Sequence, residues 1–254
     1  METAVRTVSP LVRAGRVLVV GVGGLGSPAA LALAHAGVGT LGLIDPDAVE
    51  LSNLQRQILH HTPDLDRPKV VSACEKLSRI APEVEVVVYH DRLHAQNLPE
   101  LFRAYDFIID ATDGVATKFL INDGAVLLKK PFSYGGIVQF AGQTLTVLPG
   151  QTACLRCLFP TMPSGDEIPT CQEAGIIGSL AGSLGFVQAM EAVKYLSGEG
   201  VLLTDRLLTY DASASRWRTI GIKRNPRCPL CSDAPSITSL AHDADAAEES
   251  CAVA

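Results

Sequence analysis

The chain has 254 residues, of which 47% are hydrophobic and 19% charged, with a formal net charge of −6. That length is ample for one large α/β domain with a buried core, and the acidic balance excludes a surface built to coat nucleic acid. Five of the acidic residues fall between Ser232 and Ala254, a stretch without Lys or Arg, so the rest of the chain is close to neutral.

Along the chain, β-like runs alternate with helical ones. Arg16–Gly21 is a short β-branched run ending in glycines, the pattern of a buried parallel strand. Ser27 and Pro28 read as the N-cap and first residue of a small-residue helix that stops at Gly37. Strands are expected at Thr40–Asp45, Val84–Tyr89, Phe107–Asp110 and Phe132–Gly135. Helices are expected at Lys69–Ile80, near Leu98–Arg103, and at Val115–Lys129. This order predicts a parallel sheet with helices on both faces and right-handed crossovers.

The pattern changes after Gly136. Gln139–Leu148 alternates like an antiparallel strand, and Pro149–Gly175 is irregular and rich in Pro and Cys. A helix near Ile176–Leu196 comes next, then two short strands, Leu207–Tyr210 and Arg216–Ile222. The expected organisation is one domain over residues 1–231, with a nucleotide-binding half to about 136 and a second half over 137–231. Residues 232–254 lack periodicity and read as an acidic, disordered tail.

Met1–Ala14 has no continuous apolar run of the signal-peptide kind. The uncharged stretches Val17–Ile44 and Ala174–Met190 are glycine-interrupted, and read as buried elements rather than membrane spans. A cytoplasmic address is therefore expected, where paired cysteines suit metal binding better than disulfides.

Gly21-Val-Gly23-Gly24-Leu-Gly26 follows a strand and opens a helix. Glycines let a backbone turn tightly and approach a phosphate, and the helix N-terminus offers free N–H groups to it. Asp45 ends the next strand, where a carboxylate can accept from ribose hydroxyls. A nucleotide, a dinucleotide such as NAD, or a bare packing turn all fit these residues alone. Cys154-x-x-Cys157 and Cys228-x-x-Cys231, with 70 residues between the pairs, can close a tetrahedral zinc site of four thiolates. Such a site has no open position and would be structural. A redox Cys-x-x-Cys and incidental core cysteines are the competing readings. Cys74 reads as packed and Cys251 as an incidental thiol. The six histidines form no evident cluster.

The segment Asp45-Pro-Asp47-Ala-Val-Glu50-Leu-Ser-Asn53-Leu-Gln-Arg56-Gln57 is not what NAD enzymes place after that strand. With the glycine loop, Pro68-Lys69, Asp110-Ala-Thr-Asp113, Thr170-Cys171-Gln-Glu-Ala-Gly175 and the two cysteine pairs, it resembles the ThiF/MoeB/HesA family over Arg16–Cys231. These are E1-like adenylyltransferases that activate ubiquitin-like sulfur carriers. The resemblance implies a Rossmann-like, mostly parallel sheet continuing into antiparallel strands, and a homodimer. It implies that ATP and Mg2+ bind, and that a carrier ending in Gly-Gly attacks the α-phosphate through its C-terminal carboxylate, releasing pyrophosphate. Gly21, Gly23, Gly24 and Gly26 would form the phosphate loop and Asp45 would hold the ribose. Asn53, Arg56, Gln57 and Lys69 would meet the phosphates, and Asp113 would serve magnesium and catalysis. Cys171 matches a cysteine that in some members bonds covalently to the carrier. No fused rhodanese domain follows Cys231, which implies a separate sulfur donor.

Two features depart from the family pattern. The Arg-Tyr-x-Arg-Gln sequence usual ahead of the first strand is absent, leaving only Arg6 and Arg13 there, and Gly114 stands in place of the usual Asn. A catalytically silent carrier-binding partner, and an adenylating enzyme for a different carboxylate or peptide, therefore stand beside the main reading.

Overall fold

The computed structural model describes residues 9–163 and 175–240. Eight strands form one sheet in the order β3-β2-β1-β4-β5-β6-β7-β8. The strands are β1 (Arg16–Val20), β2 (Thr40–Ile44), β3 (Glu85–Tyr89), β4 (Phe107–Asp110), β5 (Phe132–Val138), β6 (Ala141–Val147), β7 (Arg206–Asp211) and β8 (Arg216–Gly221). Pairing is parallel from β3 through β5 and antiparallel from β5 through β8. The expected α/β architecture is therefore present, with the change of pairing where the hydrophobic pattern changes after Gly136.

Strand alternation divides the core into two layers. Val17, Val19, Leu41, Leu43, Phe107 and Ile109 face one way. They meet α2 (Gly26–His35), α3 (Lys69–Ile80) and α7 (Gly178–Ser197). Leu18, Val20, Ile44, Ile108 and Phe132 face the other way, against α4 (Leu98–Arg103), α5 (Val115–Leu127) and the short α6 (Leu155–Leu158). A period of two in the strands thus feeds both helix layers, because each central strand is buried on both faces. α1 (Pro10–Ala14) precedes β1, and only its Val12 is buried. No helix of the described residues is long and apolar enough to cross a membrane.

Three local features differ from expectation. α2 begins at Gly26, so Ser27 lies inside the first turn; its hydroxyl donates to Val22 O (3.1 Å) instead of capping an amide. Val115–Lys129 ends early, at Leu127, since Lys129 takes a left-handed backbone (φ 55°) that no helix continues. The irregular stretch after Pro149 contains α6, placed by the buried contacts of Leu155 and Arg156. Beyond Cys231, Ile237 and Leu240 pack against the second core layer, and residues 241–254 lie outside the described residues.

Candidate functional site

The strand order reverses between β1 and β4, and a crevice opens there at the carboxyl ends of the strands, where α/β sheets bind ligands. The cleft has a volume of about 380 Å3. Gly21, Gly23, Gly24, Asp45, Asn53, Arg56, Gln57, Lys69 and Asp113 all line it, so the residues singled out along a hundred positions of sequence converge on one opening. Gly26 lies just behind, in the first turn of α2.

The glycine loop has two kinds of glycine. Gly21 adopts φ +90°, and a Cβ on Gly26 would sit 1.8 Å from Gly21 O, so chain geometry alone demands both. At Gly23 the nearest atom to a Cβ would be Gln57 Nε2, at 3.7 Å. Nothing in the protein needs that glycine, and the space a side chain would fill is the cleft itself, which fits a backbone left bare for a ligand. No side chain caps the N-termini of α2 and α5, which follow strand ends, or of α3, whose Lys69 amide donates to Asp47 O (2.9 Å). Uncapped amides and the positive ends of helix dipoles thus gather around the crevice.

Asp45 is buried and accepts from Val22 N (2.7 Å) through Oδ2 and from Asp47 N (2.9 Å) through Oδ1. Burial raises its pKa above the ordinary carboxylate value, against the lowering influence of Lys69 and the two amides. Its visible task is to tie the glycine loop to the end of β2. Lys69, the first residue of α3, is buried and pairs with the exposed Asp47 carboxylate at 2.8 Å. Arg56 Nη2 and Gln57 Nε2 both donate to Asn53 Oδ1, at 2.8 and 3.1 Å, while Asn53 donates to Glu50. Arg56 and Lys69 therefore stand at the cleft, each resting on an oxygen that an incoming anion can replace. Asp113 is exposed between β4 and α5 and makes no side-chain hydrogen bond among the described residues. Such a free carboxylate, next to a triphosphate, suits a hydrated magnesium ion.

Sequence reasoning left several members of this region unread. Lys118 lines the cleft from α5 and pairs with the fully buried Asp110. His60 lies beneath the glycine loop, its Nε2 3.1 Å from Val22 O and its Nδ1 2.9 Å from Ser72 Oγ. Burial lowers its pKa to about 4, so the ring is neutral, accepting from Ser72 and donating to Val22 O. Arg92, exposed after β3, lines the far wall. A lysine in a largely apolar helix was the available signal for Lys118; for His60 the sequence holds none, because its partners are far away in the chain.

Elsewhere, Cys154, Cys157, Cys228 and Cys231 place their four sulfurs within 4.8 Å of one another. Four of the six Sγ–Sγ distances are 3.4 to 3.9 Å. A zinc–sulfur bond of about 2.3 Å implies tetrahedral edges of about 3.8 Å, so the cluster fits a zinc ion with no open coordination position. Hydrogen bonding among the clustered thiols holds Cys157 below the usual range and pushes Cys154 above it. The knuckle is fastened to α5: Leu155 N donates to Asn122 Oδ1 (2.9 Å), and Arg156 forms a buried bidentate pair with Asp123. Cys171, with the rest of Thr170–Ala174, lies outside the described residues, as do Arg6 and Cys251.

Known proteins resemble this chain closely. The ThiF family profile matches residues 8–230. A "Sulfur carrier protein adenylyltransferase" of Thermus thermophilus is 44% identical over 229 residues, covering 88% of this chain and 84% of that protein. An "Adenylyltransferase and sulfurtransferase MOCS3" of Anopheles gambiae is 43% identical over 88% of this chain, which spans only 51% of that relative. Among solved structures, Escherichia coli MccB matches with a TM-score of 0.77 at 18% identity, over 88% of this chain and 68% of that one, a likeness of fold. The chain belongs to the ThiF family.

Proposed function

We propose that this chain adenylylates the C-terminal glycine carboxylate of a small ubiquitin-like sulfur carrier ending in Gly-Gly, using ATP and releasing pyrophosphate. The observation that carries the reading is the convergence of Arg56, Lys69, Asp113 and a bare glycine loop on one crevice, in a chain 44% identical to a sulfur carrier adenylyltransferase. Two anions, a carboxylate and an α-phosphate, have to meet. The cleft supplies what that demands: Arg56, Lys69 and three helix N-termini without side-chain caps in a preorganised pocket. Triphosphate oxygens replace Asp47 on Lys69 and Asn53 on Arg56, and the uncapped amides receive the remaining negative charge. A magnesium ion held at Asp113 would neutralise part of the phosphate charge. The attacking carboxylate is already ionised, so the step needs no general base. Attack on the α-phosphorus forms the acyl-adenylate bond and breaks the bond to pyrophosphate.

The same reading carries several further assignments: one domain over 1–231, a homodimer, a cytoplasmic address, a structural zinc ion and a separate sulfur donor. It also gives Cys171 a role, in which its thiolate attacks the acyl-adenylate carbonyl and AMP leaves. Purified protein with ATP-Mg and a ubiquitin-fold carrier ending in Gly-Gly should show carrier-dependent exchange of labelled pyrophosphate into ATP. Asp113→Ala should lower that exchange by about a hundredfold or more with melting unchanged. ATP binding without exchange, across a panel of such carriers, would instead identify a silent carrier-binding partner.

A further inference from the structure

Lys118 lines the cleft, yet its ammonium is already engaged. Nζ lies 3.2 Å from each carboxylate oxygen of Asp110, donates to Gly135 O, and sits 5.2 Å from the centre of the Tyr134 ring. An ammonium has three protons, and these partners take them from within the protein. Drawing Lys118 onto an incoming phosphate would leave the wholly buried Asp110 carboxylate without its counterion. Lys118 is therefore badly placed to act as a ligand, although its charge and position in the cleft suggest one.

Asp110 has a second set of contacts. Its Oδ1 accepts from Thr112 N (3.1 Å) and Thr112 Oγ1 (2.7 Å), and its backbone oxygen accepts from Gln188 Nε2 (2.8 Å), which also reaches Ser133 O (3.2 Å). The end of β4, the turn at Thr112 and α5 thus meet at the Asp110 carboxylate, while β5 is held through Lys118 and α7 through the Asp110 backbone oxygen. Thr112 is the residue before Asp113, whose own side chain has no hydrogen bond among the described residues. Only the turn sets where Asp113 points.

We propose that Lys118 is a positioning residue: by holding Asp110 in the turn beneath Thr112, it fixes the direction of the Asp113 carboxylate. The inference rests on the reading of this cleft as the adenylylation site. It assigns Lys118 an effect mainly on turnover, since the pair shapes the turn and reaches the nucleotide only through Asp113.

The test compares Lys118→Met, Lys118→Arg, Asp110→Asn and the double variant Asp110→Asn/Lys118→Met in the full chain. Pyrophosphate exchange is measured with kcat and KM for ATP separated. Lys118→Met should lower kcat by about a hundredfold, the scale of a 1 Å misplacement, with KM for ATP within about threefold of wild type. Lys118→Arg, which keeps a cation on Asp110, should recover about tenfold of that loss. The double variant should be no slower than Lys118→Met, because the two residues act as one unit. If Lys118→Met alone fails to fold, the double variant, which orphans no buried charge, reads the same loss. A wild-type kcat in either, a loss confined to KM, or losses that add in the double variant would overturn the proposal. No exchange by the wild-type protein would overturn the reading of the cleft, and the inference with it.

Discussion

At the residue scale, the glycine loop separates two demands that a motif writes with one letter. Gly26 is required by the fold: a Cβ there collides with Gly21 O at 1.8 Å, and backbone on both sides of the contact leaves nothing to yield. Gly26→Ala should therefore cost roughly 3 kcal/mol or more, read as a lower urea midpoint or as failure to accumulate. Gly23 has an ordinary backbone and open space beside it. Gly23→Ala should leave stability within about 1 kcal/mol of wild type. Its methyl group occupies the cleft, however, so ATP affinity should fall about tenfold or more in a calorimetric titration. Wild-type ATP affinity in a folded Gly23→Ala protein would show that the bare backbone serves no ligand. Asp45 shows the converse. Read from sequence as a ribose ligand, it already accepts two backbone amides, so any hydroxyl it receives must share those oxygens.

At the scale of elements, legibility followed the range of the contacts. Strand and helix positions were readable because burial on both sheet faces writes unbroken apolar runs for β1, β2 and β4, and the glycines and prolines between them are local signals. Ser27 misled, since a serine ahead of a proline reads as a cap, whereas here Val22 O lies within its reach. Residues whose roles depend on distant partners were not readable. The two charges of α5, Lys118 and Asp123, stand out in an apolar helix, but their partners Asp110 and Arg156 are fixed only by folding. The loop between β2 and α3 is the other case. His60 joins it to the glycine loop, and burial holds the ring neutral down to about pH 4, whereas an unfolded histidine takes its proton near 6.5. Between those values the unfolded chain binds the extra proton, so stability rises with pH through the window and is lost as pH falls from 6.5 toward 4. In the limit this is about 3 kcal/mol. His60→Gln should be less stable than wild type at pH 7.5, with the gap closing by pH 4.5 in paired urea denaturations. A constant gap across that range would mean that His60 is not held neutral by the fold.

At the scale of the whole molecule, the second core layer runs from β1 and β4 to Leu207, Cys228 and Leu230, and side-chain chemistry fastens its far end. The parallel half owes its order to strands buried on both faces. β8, at the antiparallel end, is exposed along its whole length and cannot be held by burial. Beyond β8 the chain returns to the body through Cys228 and Cys231, which meet Cys154 and Cys157 across 70 intervening residues. A metal cross-link closing a loop of that length restricts the unfolded chain by about 4 kcal/mol, the scale estimated for a disulfide. Cys157→Ser would leave three of the four thiolates that a zinc ion would take, too few for a closed tetrahedral site. The variant should lose its zinc on elemental analysis and melt roughly ten degrees lower than the loaded wild-type protein. Because Arg156 and Leu155 fasten the knuckle to α5 without the metal, the damage should spread unevenly. Amide exchange should quicken first in β7, β8 and the segment around Cys228, while β1, β2 and β4 keep their protection. Unchanged zinc content and melting would remove the metal from the four cysteines. Equal loss of protection in both halves would show instead that the zinc holds the sheet together as a whole.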